Sequence, residues 1–275
     1  MKTFLDEFPK YHEAKFVVLP VPYEATTSYG KGTKNGPKAI IKASEQVEGY
    51  IEELDFEPYT KAGIYTHRPL KRTEIFPIVK KVLNNHKVPI LLGGEHSLSI
   101  EAVRAAKDCY PDLSVLQLDA HADLRDSYLG RKDSHACTMR RILEVCPAVQ
   151  VGIRSVDIEE AEWAKGSGQW EKIVFASQLT TNNLQLTTIK SNLTNQVYIT
   201  IDVDVFDPSI MPSTGTPEPG GLSWLQVIEI LRIVTQAKKV VGFDVVEFSP
   251  IKGFHAPDFT IAKLVYRLMG YLVKK

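Results

Sequence analysis

LQLDAHADLRD, residues 116–126, decides how the rest of the chain is read. The apolar run from Leu113 to Leu118 ends abruptly in Asp119, His121 and Asp123, separated only by Ala120 and Ala122. Alternate side chains of an extended strand point the same way. The spacing therefore predicts three potential metal ligands on one side of a strand end, with the two alanines left to pack on the other. Carboxylates so close repel one another, and burying them without a counter-charge would push them towards the neutral form. A divalent cation resolves that conflict.

Two other stretches repeat the pattern. In VYITIDVDVFDP, residues 197–208, an apolar run ends in Asp202 and Asp204, again two apart and predicted on one side of a strand. VPILLGGEHSL, residues 88–98, ends in Gly93, Gly94, Glu95 and His96, where glycine permits close backbone approach. Together His96, Asp119, His121, Asp123, Asp202 and Asp204 exceed the needs of one tetrahedral zinc and suit two ions sharing carboxylates. Ligation rich in carboxylate, with some imidazole, favours manganese over zinc. Two ions about 3.5–4 Å apart lower the pKa of a shared water by several units, so the predicted site is hydrolytic. A lone DxH or DxD is ordinarily a turn or a helix cap. Six ligands at matching strand ends are not explained that way.

Outward from these motifs, strands and helices alternate. Strands are predicted at Lys15–Val21, Ala62–Tyr65, Pro89–Leu92, Ser114–Leu118, Val149–Ile153, Ile173–Ala176, Val197–Ile201 and Val240–Val246. Helices are predicted from Pro37 to Ser44, with Asn35 or Gly36 as cap, and at Thr73–Asn85, Leu98–Lys107, Thr138–Val145, Glu159–Lys165, Leu186–Ser191, Trp224–Gln236 and Phe259–Val273. Continuously apolar strands separated by helices mean a parallel sheet covered on both faces, an α/β fold whose ligand crevice lies at the carboxyl ends of the strands. Glu247, directly after the apolar run FDVV, falls on the same edge, as a cap or as a functional carboxylate.

The 275 residues, 44% of them hydrophobic, suffice for one large core, and a single domain over 1–275 is expected. Formal net charge is zero, so no general basic field attracts nucleic acid or an anionic membrane. Three cysteines without a CxxC pair or secretory pattern point to a reducing, cytoplasmic setting. No apolar stretch approaches the roughly 18 residues of a membrane span, and Met1–Lys15 has no signal-peptide core. Cys137 reads as a small packed residue rather than a nucleophile, and the three tryptophans as packing.

GGEHSLS, LDAHADLRD, SHACTMRR, ITIDVDVFDPSIMPSTGTPEPGGL and VVEFSP together resemble the ureohydrolase family of arginases and agmatinases, from about Pro20 to the C-terminus. GKGTKNGPKAIIKAS, residues 30–44, resembles the loop and helix that open the family's catalytic domain. The resemblance implies a three-layer αβα domain around a mainly parallel eight-stranded sheet, assembled as a homotrimer or homohexamer. It implies one manganese on His96, Asp119, Asp123 and Asp202 and another on Asp119, His121, Asp202 and Asp204, bridged by Asp119 and Asp202. The implied reaction converts a small guanidino compound to urea and an amine. Glu247 would hold the planar cation by paired charge-assisted hydrogen bonds, Asp123 would protonate the leaving amine, and His135 would shuttle protons to solvent.

Arginases carry an Asn two positions after the last Asp of this motif, where this chain has Arg125. SHACTMRR looks instead like prokaryotic agmatinases, which makes agmatine the expected substrate. Asp157 resembles the family position nearest the substrate's amino end, which implies a contact with the far ammonium of agmatine; equally, it caps the helix that begins with Glu159 and Glu160. Arginase, guanidinobutyrase, aminopropylagmatine ureohydrolase and formiminoglutamase are the alternatives within the class. A non-catalytic metal-binding relative is the alternative outside it, disfavoured by Glu247 and His135. A deacetylase-like amidohydrolase needs only one zinc, and the second ligand set disfavours it.

Overall fold

The computed structural model describes residues 2–179 and 185–273. Among them, eight strands form one sheet: β1 (Phe16–Pro20), β2 (Ile64–Thr66), β3 (Val88–Leu92), β4 (Leu113–Leu118), β5 (Ala148–Ile153), β6 (Ile173–Phe175), β7 (Gln196–Asp202) and β8 (Lys239–Val246). Their order is β2-β1-β3-β8-β7-β4-β5-β6, and every neighbouring pair is parallel. The connecting helices are α1 (Gly36–Ser44), α2 (Pro58–Ala62), α3 (Ile75–Asn84), α4 (Ser99–Cys109), α5 (Thr138–Leu143), α6 (Ile158–Ser167), α7 (Leu186–Asn192), α8 (Trp224–Ala237) and α9 (Ala256–Val273).

Successive residues of a strand face opposite sides of the sheet, and here both sides are buried. Phe16, Val18, Ile199, Phe243 and Val245 belong to one apolar cluster with α1, α8 and α9. Val17, Leu19, Val115, Tyr198 and Val241 belong to another with α3, α4 and α5. The continuous apolar runs follow from this two-sided burial, and the three-layer αβα architecture is as expected.

Differences from the sequence reading are local. Helix α2 has no counterpart in the apolar spacing; Pro58 starts it, and Gly63, at φ 53°, ends it after Ala62, so the following strand begins at Ile64 rather than Ala62. Helix α9 begins three residues earlier than the apolar spacing indicated, and α5 stops at Leu143 rather than Val145. Strand β4 ends at Leu118, so Asp119, His121 and Asp123 do not share one side of a strand. The chain leaves extended geometry, Asp123 adopting φ 53°, and a bridge from His121 to Ser155 holds the loop beside the end of β5. Asp204 likewise lies in a helical turn, Val203–Val205, rather than in β7.

The segment after β1 folds over the end of β3. Gly94 makes this possible, because a Cβ there would lie 1.8 Å from the carbonyl oxygen of Tyr23. Gly94→Ala is therefore expected to destabilise the fold by about 3 kcal/mol, as overpacking against rigid backbone does. A urea-unfolding midpoint unchanged from that of the unsubstituted chain would contradict this packing.

Candidate metal centre

The four central strands, β3, β8, β7 and β4, lie side by side, and each ends at the same place. His96 stands in a turn after β3, Glu247 directly after β8, Asp202 at the last position of β7 and Asp204 two residues on, and Asp119 directly after β4. Adjacent parallel strands thus bring together groups that are far apart in the chain. His96 Nδ1 lies 3.1 Å from Asp119 Oδ2, 3.1 Å from Asp123 Oδ2 and 3.6 Å from Asp202 Oδ2. His121 Nδ1 lies 2.9 Å from Asp204 Oδ2 and 3.7 Å from Asp119 Oδ1. Two groups have the compactness of metal-binding clusters, His96 with Asp119 and Asp202, and Asp119 with His121 and Asp204. Asp119 belongs to both.

A second ring of partners orients these groups. Gln117, a polar break in the apolar run of β4, donates from Nε2 to Asp119 Oδ2 at 2.7 Å. Gln150, its register partner on β5, donates to Gln117 Oε1 at 2.6 Å. His96 Nε2 meets Thr200 Oγ1 at 2.9 Å, and Thr200 donates to Asp244 Oδ1 at 2.6 Å. The backbone contributes as well. Ala120 N–H donates to Asp204 Oδ1 at 3.0 Å, His121 N–H to Asp119 Oδ1 at 2.6 Å, and His96 N–H to Glu247 Oε1 at 2.7 Å. Glu247 therefore caps the turn that carries His96, while its other oxygen has no hydrogen-bond partner among the described residues. Arg154 ties down the Asp204 turn, donating to the carbonyls of Asp204 and Glu218 at 2.7 Å each.

The electrostatics explain why such a cluster takes a cation. Burial pushes Asp202 far above the usual carboxylate range, and the charges of Asp204 and Asp119 push it further. Burial and the Asp119 charge raise Asp123 to about 7, against the opposing hydrogen bond from His96. Asp204 moves upward through burial and Asp119. For Asp119 burial is outweighed by hydrogen bonds with His121 and His96, which hold it low. Burial would lower His121, but Asp119 and Asp204 raise it to about 12. Beyond the hydrogen bonds from Gln117 and the backbone, protons on imidazole and carboxyl groups offset this charge, and a divalent cation would displace those protons. His96 Nδ1 supplies the geometric test. It is buried and aimed among three carboxylate oxygens at 3.1–3.6 Å, as a metal-ligating nitrogen is.

A cleft opens over this cluster, lined by Tyr29, Arg125, Tyr128, His135, Thr216 and Glu247 among others. Asp157 is not on its lining. Asp157 caps α6, accepting from Glu159 N–H at 3.0 Å, and pairs with Arg125 at 3.1 Å. Cys137 is fully buried, and burial raises its thiol to about 11, which suits packing and not nucleophilic attack. The sequence reading did not single out Gln117, Gln150, Thr200, Glu95 or Thr26. The polar breaks at Gln117, Gln150 and Thr200 within apolar strands were the signal for those three, and Glu95 and Thr26 had none.

Carboxylates and imidazoles gathered at the carboxyl edge of a covered parallel sheet, able to hold a metal ion, give an αβα protein of the kind that carries an enzyme site there. A model of the arginase family matches residues 14–270, and the chain belongs to that family, as a ureohydrolase. An N(1)-aminopropylagmatine ureohydrolase of Synechocystis sp. is 39% identical over 98% of this chain and 94% of its own length. An agmatinase of Pyrococcus horikoshii is 37% identical over 94% of this chain and 92% of its own. The solved structure of an agmatine ureohydrolase of Thermoplasma volcanium superposes with a TM-score of 0.90 at 30% identity, covering 99% of this chain and 94% of that one.

Gln117→Leu removes a donor from Asp119 and a longer one, at 3.3 Å, from the His121 carbonyl, while leaving every candidate ligand side chain in place. Loss of such an outer partner is expected to weaken Mn2+ binding about ten- to a hundredfold, read as a smaller rise in unfolding temperature on adding Mn2+. An unchanged rise would show that Gln117 plays no part in holding Asp119.

Proposed function

We propose that this chain is one catalytic domain over residues 1–275 that hydrolyses agmatine to putrescine and urea at two Mn2+ ions. One ion is assigned to His96, Asp119, Asp123 and Asp202, the other to Asp119, His121, Asp202 and Asp204. Charge balance at the buried cluster carries this reading. Asp119, Asp123, Asp202 and Asp204 bring four negative charges, which two divalent cations cancel, and Glu247 is then left over. Burial lifts Glu247 to about 8, and the positive charge of a guanidinium would favour its ionised form.

Divalent cations bound there would offset the carboxylate charge and make a water acidic enough to act as a nucleophile at neutral pH. The protein's own groups do the rest. Glu247, fixed through Oε1 on His96 N–H, accepts from guanidinium N–H groups and holds the central carbon over the cluster. The water oxygen bonds to that carbon, and the bond from carbon to the alkyl-bearing nitrogen breaks. As the water oxygen bonds to carbon it gives up its protons, Asp123 taking one and handing it to the departing amine nitrogen as the C–N bond breaks, while His135 exchanges protons with solvent.

Agmatine is favoured over arginine because the position expected to receive an α-amino acid group holds Arg125, whose charge Asp157 already neutralises. Asp157 is thereby less available for a distal ammonium than the sequence suggested. A second reading takes N(1)-aminopropylagmatine as substrate, supported by similarity to the Synechocystis enzyme so named. The unpaired cysteines, two of them buried, support a cytoplasmic setting, and a homotrimer or homohexamer is proposed with it. No helix among the described residues is long and apolar enough to cross a membrane.

With Mn2+ added, urea release should be fastest per unit concentration from agmatine, and at least about a hundredfold slower from arginine and guanidinobutyrate. Higher kcat/KM on N(1)-aminopropylagmatine would select the second reading, and no urea from any of the four would overturn both. Glu247→Gln is expected to cut kcat/KM on agmatine about a hundredfold. His135→Asn should lower kcat to a similar degree at unchanged manganese content, and full turnover would remove His135 from the reaction.

A further inference from the structure

Glu95 is fully buried and is used by neither the proposed metal cluster nor the proposed chemistry. Its carboxylate is ringed by four donors: Ala25 N–H at 2.5 Å and Thr26 N–H at 2.6 Å on one oxygen, Thr26 Oγ1 and Ser97 Oγ at 2.7 Å each on the other. A carboxylate accepts only, so the single hydroxyl proton of Thr26 is committed to Glu95. The same hydroxyl oxygen accepts His135 N–H at 3.0 Å and lies 3.2 Å from His135 Nδ1. With its proton engaged, Thr26 Oγ1 can meet that ring nitrogen only as an acceptor.

From this we propose that Glu95 and Thr26 are positioning residues that fix His135 as the tautomer protonated on Nδ1. Nε2 then carries the lone pair. That nitrogen has no hydrogen-bond partner among the described residues, and His135 lines the cleft, so the ring meets the reacting proton as a base. A histidine tautomer is set by the hydrogen bond at its other nitrogen, and here the polarity of the chain from carboxylate to hydroxyl to imidazole runs one way only. The inference rests on the assignment of proton transfer to His135 for its functional meaning, but not for the tautomer itself. Ser134 Oγ, 3.3 Å from Nδ1, is the rival partner. Were it to donate, Nδ1 would be bare and would face the Thr26 oxygen lone pair to lone pair, so the arrangement favours Nδ1–H.

The same chain fastens the cleft wall to the metal-binding edge. Thr26 belongs to the segment after β1 that continues into Tyr29 at the rim, and Glu95 immediately precedes His96. An error in this contact therefore moves the ring of His135 without removing any candidate ligand.

The test uses solid-state 15N spectra of histidine-labelled protein sedimented with diamagnetic Zn2+ in place of Mn2+, the His135 signals being those lost in His135→Asn. The expected result is a protonated Nδ1 and an unprotonated Nε2, unchanged in Ser134→Ala. A protonated Nε2 in the unsubstituted protein, or a tautomer switch in Ser134→Ala, would overturn the proposal. In the manganese enzyme, Thr26→Val should lower kcat about a hundredfold with KM within about twofold, the scale of a lost acid–base group. Thr26→Ser should restore it, and the Mn2+-induced rise in unfolding temperature should be the same in all three proteins. Full kcat in Thr26→Val would overturn the positioning role. Should Thr26→Val fail to fold, the spectra of the unsubstituted protein and of Ser134→Ala still decide the tautomer. Full turnover in His135→Asn together with the expected spectra would instead sink the catalytic reading and leave the tautomer standing.

Discussion

Four aspartates forced together where water is scarce are the constraint on which everything else in this molecule depends. Asp119, Asp202 and Asp204 are almost completely buried and Asp123 nearly so. Charges removed from water must be paired or neutralised, and the nearest cationic partners are two imidazoles that carry charge only when protonated. Such a cluster costs folding energy unless something positive occupies its centre. Its persistence is intelligible because metal binding stabilises the folded form by mass action.

The sheet determines where this conflict is located. In the order β3-β8-β7-β4 the four middle strands are continuous neighbours, so four chain segments deliver their next residues to one edge. The arrangement is that of a parallel α/β sheet, whose crevice lies beyond the carboxyl ends. The flanking strands contribute the walls. β1 leads into the segment that carries Thr26 and Tyr29, and β5 leads into Arg154, which locks the Asp204 turn. Rigid, doubly covered strands suit a site whose parts must be held closely, because supporting packing is what keeps a metal-binding constellation in place.

Much of this was legible in the residues themselves. Apolar runs broken by DAHAD, DVD and GGEH placed His96, Asp119 and Asp202 at strand ends, and the alternation of runs and amphipathic segments gave the layered fold. The way in which the ligands converge was not legible. Strict alternation put Asp119, His121 and Asp123 on one side of a strand, whereas the chain turns there, with Asp123 in the left-handed region. Contacts that depend on tertiary approach were also invisible. Glu95 and Thr26 are 69 positions apart and meet only because β1 and β3 pair and Gly94 admits the backbone of Tyr23. Asp157 shows the limit from the other side, since its capping bond is local and predictable, while its pairing with Arg125 needed the fold.

The central claim is that the buried carboxylates are balanced by a pair of ions and not by one. Manganese content measured by elemental analysis on chain reconstituted with Mn2+ and freed of excess metal tests it most directly, with electron paramagnetic resonance reporting whether the ions are coupled. About two ions per chain with a spin-coupled signal is the result this account requires. One ion per chain, or two uncoupled ions, would contradict it.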